Sequence, residues 1–282
     1  MTTLLQISDT HFGTERPKVV VALQELTQRL RPDLLVLSGD ITQRAKTDQF
    51  QAARAFVDRL QVPKVLVIPG NHDIPLYNLA LRLFAPYARH RRHFGAEIAP
   101  VFESPDLLVI TVKTTRRYRH IDGEVSARQI EEVANRLERA GALQLRIVVT
   151  HQPIAVSRKE DEHDRLHGHA EAMRHWALAG ADLLLSGHIH LPSVQALHLR
   201  EPRLPRPLWG VQAGTALSSR IRHEADNSVN LIRSIPPAVQ AAPRQALVER
   251  YDFHAGKKEF AIVEQHHLSF DQVPVQGHRA AG

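Results

Sequence analysis

Five short polar blocks in this 282-residue chain carry side chains that bind metals or move protons. They are Asp9-Thr10-His11, Gly39-Asp40, Gly70-Asn71-His72-Asp73, His151 and Gly187-His188-Ile189-His190. Asp9 and His11 stand two apart, so an extended segment points both the same way. Asp40 has two oxygens with which to bridge two cations, Asn71 offers a neutral carbonyl oxygen, and His151, His188 and His190 offer imidazole nitrogens. Such mixed nitrogen and oxygen donors suit Mn, Fe, Co, Ni or Zn and argue against calcium. Two divalent ions beside two carboxylates leave a net charge of about +2, which attracts a phosphate and acidifies a bridging water; metals ~3.5–4 Å apart stabilise both the attacking and the leaving oxygen of an in-line displacement. One block alone is weak, because a single strand-end histidine is more often a polar cap. Five in this order, all at strand ends, are hard to assign to coincidence.

The elements that must bring the blocks together are legible as hydrophobic pattern. Leu4–Ser8, Leu34–Ser38 and Val65–Ile68 are apolar throughout, as buried parallel strands are. Between them Val19, Leu23, Leu26 and Leu30, then Phe50, Ala53, Val57 and Leu60, recur at helical spacing. Leu107–Val112, Ile147–Thr150 and Asp182–Ser186 read as further strands. Ser126 and Gln129 form a capping box ahead of Ile130, Val133, Ala134 and Leu137. Leu76–Phe94 reads as helix broken near Pro86, with Tyr77, Phe84, Tyr87 and Phe94 as its packing face. After residue 190, Val194–Leu199, Leu208–Ala213, Val229–Ile235, Leu247–Phe253 and Phe260–Phe270 read as strands. Pro202, Pro205 and Pro207 mark one connecting loop, Pro236, Pro237 and Pro243 another, and Ala255-Gly256-Lys257-Lys258 a hairpin turn. No linker is visible, so residues 1–271 are expected to form one domain and 272–282 a frayed tail. In open α/β sheets ligands bind at the carboxyl ends of the strands, where all five blocks fall.

The combined pattern D-x-H, G-D, G-N-H-D, H and G-H-x-H resembles the calcineurin-like metallophosphoesterase superfamily, over roughly residues 4 to 215. The resemblance implies an α/β fold, a four-layer α/β/β/α sandwich of two mixed sheets flanked by helices. It implies that Asp9, His11 and His190 bind one metal, that Asn71, His151 and His188 bind the other, and that Asp40 bridges. It makes His72 the general acid or phosphate-contacting histidine, oriented by Asp73. It also implies two divalent transition-metal ions, Mn or Fe foremost, and hydrolysis of a small phosphorylated substrate by a metal-bridging hydroxide. Gln43 stands where purple acid phosphatases have a tyrosine, and the arginine-bearing signatures of Ser/Thr protein phosphatases are missing. Ile7-Ser8-Asp9-Thr10-His11 with Pro69-Gly70-Asn71-His72-Asp73 looks most like the class III cyclic-nucleotide phosphodiesterases, although Gln152 replaces a histidine common there. A cyclic nucleotide or similar diester is therefore the leading substrate. A UDP-2,3-diacylglucosamine pyrophosphohydrolase-like activity and a general phosphomonoesterase are the alternatives. A non-catalytic scaffold on the same fold would have lost site residues, and none is lost here.

Composition bounds the rest. With 43% hydrophobic residues and 23% charged, the chain can bury a sizeable core. It has no cysteine, which excludes disulfides, thiolate metal sites and cysteine nucleophiles and makes a cytoplasmic location the natural expectation. No apolar run approaches the ~20 residues of a membrane span, and Met1 runs straight into a strand, so no signal peptide is expected. Net charge is +6, from 36 basic and 30 acidic residues, too scattered to demand a nucleic-acid partner. Arg89, His90, Arg91, Arg92 and His93 read as solvated surface. Arg116 and Arg117 are candidate substrate-binding residues, on the idea that Leu76–Arg119 caps the site. Arg220 and Arg222 are open between phosphate contact and plain surface. His163, His167 and His169 are expected in an exposed loop at the site's mouth, and Trp176 and Trp209 in the core.

Overall fold

The structure, a computed structural model, describes residues 1–119, 121–222, 225–235 and 243–270. The expected tail at 272–282 and the turn at Pro236 and Pro237 lie outside the described residues. Strands β1 (Thr3–Ile7), β2 (Leu34–Leu37) and β3 (Lys64–Val67) run parallel, with helices α1 (Pro17–Leu30) and α2 (Thr47–Leu60) as crossovers. Two short helices, α3 (Leu79–Phe84) and α4 (Ala88–Phe94), follow. The chain then builds β4 (Val101–Glu103), β5 (Leu107–Thr111), α5 (Ala127–Glu138), β6 (Leu145–Val149), α6 (His169–Leu178) and β7 (Leu183–Ser186). It continues through β8 (Ser193–Ala196), α7 (Leu197–Arg200), β9 (Trp209–Gln212), β10 (Ser228–Ile235), β11 (Gln245–His254) and β12 (Glu259–Ser269).

Two six-stranded mixed sheets result, ordered β12-β11-β10-β1-β2-β3 and β4-β5-β6-β7-β9-β8. Alternation of side chains along each strand sorts the core into three layers. Leu5, Ile7, Leu35 and Leu37 meet Val19, Leu23 and Leu26 of α1 and Phe50 and Phe56 of α2 on one outer face. Leu4, Leu34 and Val36 meet Val109, Ile147 and Leu185 between the sheets. Leu108, Val148 and Leu184 meet Ile130 and Val133 of α5 and Trp176 of α6 on the other outer face. This is the expected α/β/β/α sandwich. A strand buried on both faces is apolar at most positions, which is why β1, β2 and β5–β7 show little alternation in sequence, with Gln6 of β1 and Ser186 of β7 among the buried polar exceptions.

Some local expectations need correcting. Val194–Leu199 is not one strand: β8 stops at Ala196 and α7 begins, because Leu197 turns inward to 2% exposure. The segment 76–94 does break near Pro86, but its aromatics divide. Tyr87 is buried and Phe94 packs on the core, whereas Tyr77 and Phe84 are 79% and 86% exposed. Trp176 is buried; Trp209 is only partly so.

His90 also departs from the solvated reading. It is fully buried on α4, edge-on to Phe50 and beside Phe94, and neither ring nitrogen has a hydrogen-bond partner among the described residues. Burial, helped by the charges of Arg91 and His93, pushes its pKa down to about 4. The unfolded chain, with a His pKa near 6.5, therefore binds one more proton between pH 4 and 6.5, so stability falls as pH falls through that window. At 1.36 kcal/mol per unit, the effect reaches about 3 kcal/mol. Urea midpoints of wild type and His90→Leu, measured from pH 7 to 4.5, should diverge, with the wild type losing more. Parallel curves would mean that His90 is protonated in the fold.

Candidate metal centre

The five blocks emerge on one rim of the sandwich. Asp9 and His11 follow β1, Asp40 follows β2, and Asn71, His72 and Asp73 form a 3₁₀ turn after β3. His151 follows β6 and His188 and His190 follow β7, so the two sheets contribute from opposite sides. The loops after β1 and β2 extend the parallel ladder by a few residues, through Asp9 N–H to the Gly39 carbonyl (3.1 Å) and His11 N–H to the Asp40 carbonyl (2.9 Å). Beneath them lies a buried polar layer. Gln6 Nε2 donates to the Ser186 carbonyl (3.1 Å), Asn230 Nδ2 donates to Gln6 Oε1 (3.0 Å), and Ser186 Oγ donates to Gln212 Oε1 (2.7 Å). The Gln6–Ser186 bond ties the two sheets together under the site, and the other two brace its partners within their own sheets.

The backbone around the donors is unusual. Asp9, His11, Asp40, His188 and His190 have φ between +40° and +76°, and they are five of the nine non-glycine residues in the left-handed region among those described. Such conformations cost about 1–3 kcal/mol each and persist where surrounding structure enforces them. Glycine supplies the remaining room. Gly39 has φ +101°, and a Cβ there would overlap the His151 ring; a Cβ on Gly70 would overlap Asp40.

Ligand-capable atoms of Asp9, His11, Asp40 and His190 form one group, and those of Asp40, His151 and His188 a second, each within 4.8 Å. Asp40 belongs to both. Its Oδ2 lies 3.7 Å from His11 Nε2 and its Oδ1 3.3 Å from His151 Nε2. His151 donates Nδ1–H to the Ser38 carbonyl (2.8 Å), so its Nε2 faces Asp40 and, at 3.2 Å, Asn71 Oδ1. His190 Nδ1 is taken by the Arg220 carbonyl, and its Nε2 lies 3.1 Å from His11 Nε2 and 3.3 Å from Asp9 Oδ1. Asp9 Oδ2 accepts the His188 amide (3.0 Å), while Asp9 Oδ1 and His188 Nδ1 are buried without a hydrogen bond.

Acceptors therefore face acceptors, an arrangement that asks for cations. The electrostatics of the cluster point the same way. Burial alone would raise the Asp9 pKa, yet His190 holds it down at about 2. Burial would lower His151, yet Asp40 holds it up at about 9, so protons occupy places that cations can take. His11 and His188, lowered by burial to about 3 and about 4, are neutral and ready to donate lone pairs. The seven residues fit a pair of divalent transition metals.

His72 and Asp73 are placed differently from expectation. Asp73 does not hold the His72 ring. Its Oδ2 accepts the Ile41 and Gly70 amides (3.0 and 2.9 Å), and its Oδ1 accepts the Thr42 amide and hydroxyl (2.8 Å each). It thus clamps the β2 and β3 loops together. The ring is oriented by the Gln43 carbonyl, 2.9 Å from Nδ1.

Asp40, Asn71, His72, His188 and His190 line a cleft of ≈ 280 Å³ whose other walls include Ile121, Asp164, Arg220 and Arg222. Larger hollows, of ≈ 540 Å³ beside α1 and ≈ 590 Å³ beside α5, contain no histidine, so size does not mark the site. Arg116 and Arg117 are not among the cleft's walls. Arg116 is engaged by Gln129 (2.6 Å) and Glu124, and Arg117 by the Leu83 carbonyl (2.7 Å). His163, His167 and His169 form no ligand group among the described residues. The loop of His163 and His167 does reach the mouth, where Asp164 Oδ1 lies 3.8 Å from His188 Nε2, whereas His169 opens α6 and is half-buried. Sequence reasoning missed Asp164, which sits unmarked in a run of charges.

Residues 2–192, which hold all five blocks, match the family described as calcineurin-like phosphoesterase. A glycerophosphodiester phosphodiesterase from Enterobacter lignolyticus is 38% identical over 25% of this chain and 29% of its own length, so the match spans less than a third of that relative. A probable cyclic nucleotide phosphodiesterase from Coxiella burnetii is 22% identical over 66% of this chain and 75% of its own. Among solved structures, a purple acid phosphatase from yellow lupin seeds superposes with a TM-score of 0.65 at 12% identity, covering 95% of this chain and 53% of that one. Vps29 from Chaetomium thermophilum covers both chains fully with a TM-score of 0.51 at 12% identity. These two likenesses concern the fold. With the family match covering the six residues of the two donor groups and Asn71 beside them, the chain belongs to the calcineurin-like phosphoesterase family.

Proposed function

We propose that this protein hydrolyses small phosphodiesters, a cyclic nucleotide or a similar diester first among them, at a dinuclear centre. The observation that carries the reading is the double membership of Asp40, whose two carboxylate oxygens face two separate donor groups. In it Asp9, His11 and His190 hold one ion, Asn71, His151 and His188 the other, and Asp40 bridges; Mn or Fe is the first expectation. When bound, such a pair supplies Lewis acidity and a water-derived nucleophile at neutral pH.

The chain's own groups do the rest. Ser38 and Arg220 carbonyls fix the ring orientations of His151 and His190, as outer partners of metal-binding histidines do. The Gln43 carbonyl accepts the Nδ1 proton of His72, which leaves Nε2 as the atom that exchanges a proton with the leaving oxygen. The relatives' names favour diesters, and among the described residues the cleft's apolar walls are Ile121 and Ile189, while Tyr77 and Phe84 stand exposed away from it. Purified protein loaded with Mn²⁺ should show a higher kcat/KM for bis(p-nitrophenyl) phosphate than for p-nitrophenyl phosphate. A strong preference for the monoester would overturn the diester reading.

A further inference from the structure

Arg220 enters the cleft from a loop hydrogen-bonded to the segments that carry the candidate ligands. Residues 213–222 are fastened behind Asp9: Ala216 N–H donates to the Ser8 carbonyl, Arg16 N–H to the Leu217 carbonyl and Ser219 N–H to the Thr14 carbonyl, each at 2.9 Å. Buried Asn227 secures the same loop, its Nδ2 donating to the Thr215 and Ser218 carbonyls (3.2 and 2.8 Å). The Arg220 carbonyl accepts from His190 Nδ1 and from Thr215 Oγ1. The Arg220 backbone is therefore held in register with the candidate ligands.

Its side chain is placed as firmly but partnered differently from those of its neighbours. The guanidinium donates to Gln43 Oε1 (3.2 Å) and to His72 Nε2 (3.0 Å). Other arginines around the mouth are spent on carboxylates: Arg222 on Asp161 (2.8 Å) and Arg119 on Glu124 (3.1 Å). Arg220 has no carboxylate within 4.0 Å among the described residues, and both of its acceptors are neutral. A guanidinium never gives up its proton, and its planar fork matches phosphate oxygens. A fixed, half-buried cation resting on neutral acceptors at the edge of a phosphoryl-transfer site is a receptor for an anionic oxygen.

We infer that Arg220 is a catalytic residue that binds a non-bridging oxygen of the substrate's phosphoryl group, and that in doing so it leaves His72. The exchange trades a neutral acceptor for an anionic one, and charge-assisted bonds are roughly twice as strong. It also clears the lone pair of His72 Nε2, so the imidazole becomes available only when a phosphoryl group is in place. No bond in the substrate changes in this step; one hydrogen bond is replaced by another. The inference rests on the proposed phosphoesterase reading.

The test measures binding separately from turnover. Inorganic phosphate is titrated calorimetrically into the full-length, Mn²⁺-loaded wild type, Arg220→Lys and Arg220→Gln, with metal content assayed on the same samples. Loss of a charged hydrogen bond should weaken phosphate by about tenfold or more in Arg220→Gln, with Arg220→Lys between it and the wild type and all three equally metallated. With a diester substrate, Arg220→Gln should raise KM and lower kcat, and millimolar guanidinium ion should restore part of the loss. Unchanged phosphate affinity in Arg220→Gln overturns the inference, as does a loss of metal, which would reduce Arg220 to a support for His190. Phosphate binding that depends on Arg220 in a protein without diesterase activity would uphold the inference and defeat the diester reading.

Discussion

Asp40→Ala should empty both halves of the metal centre and lower diester hydrolysis by about 10³-fold or more, because metal binding is what brings the pKa of water from 15.7 to about 7. The expectation follows from position. Asp40 is the one residue shared by the two donor groups, with Oδ2 toward His11 and Oδ1 toward His151. Its Oδ1 also accepts the His72 amide (2.8 Å), so the substitution frees the 3₁₀ turn that carries Asn71 as well. Asp40→Asn separates these effects, since a carboxamide oxygen can still accept that amide while the bridging charge is gone. His11→Ala touches one group only and should leave the His151 and His188 half able to bind an ion. Elemental analysis of the three variants, with thermal unfolding to establish that each remains folded, gives the answer. If Asp40→Ala retains one full equivalent of tightly held metal while His11→Ala retains none, the bridge has been assigned to the wrong residue.

Fold and site were legible to different depths, for physical reasons. β1, β2 and β5–β7 are buried on both faces, and α1, α2 and α5 on one, so hydrophobic burial wrote their pattern into the sequence. Val19, Leu23 and Leu26, or Ile130, Val133 and Leu137, are spaced by the helix they form and are buried as that spacing requires. The donor blocks were readable because strand-end loops in such sheets converge whatever their separation along the chain. What was not readable depends on long-range pairing. β1 pairs with β10, Thr3 opposite Arg233, and that pairing places Asn230 against Gln6 in the polar layer under the site. Nothing local to Gln6 announces it. Asp73 follows His72 directly, so adjacency suggested that it holds the ring, but the 3₁₀ turn points it back to the Ile41, Thr42 and Gly70 amides. His90 shares its helix with Arg89, Arg91 and Arg92, and only the packing of α4 on α2 separates the buried ring from the solvated charges.

His72→Ala should keep both metals and lose activity in proportion to how poor the leaving group is. His72 follows Asn71, and its ring stands edge-on to that of His11 with centroids 4.8 Å apart, so it sits beside the centre without completing either donor group. Its Nδ1 proton is committed to the Gln43 carbonyl, which leaves Nε2 as the working atom. Nε2 faces Arg220 at 3.0 Å. A guanidinium can only donate, so in this arrangement the imidazole is neutral and accepts. To act as an acid it must first gain a proton at Nε2, and a leaving oxygen must stand where Arg220 now reaches. General acids contribute ~10²–10⁴-fold, and most where the departing oxygen is strongly basic. A ribose alkoxide is such a group and p-nitrophenolate is not. Removing the imidazole should therefore cost ~10²–10⁴-fold toward a sugar diester and much less toward bis(p-nitrophenyl) phosphate. His72→Gln, which retains a neutral polar group without an ionisable proton, should behave like the alanine variant. Equal losses on the two substrates with metals intact would make His72 a phosphate-positioning group. Loss of a metal equivalent would make it a ligand.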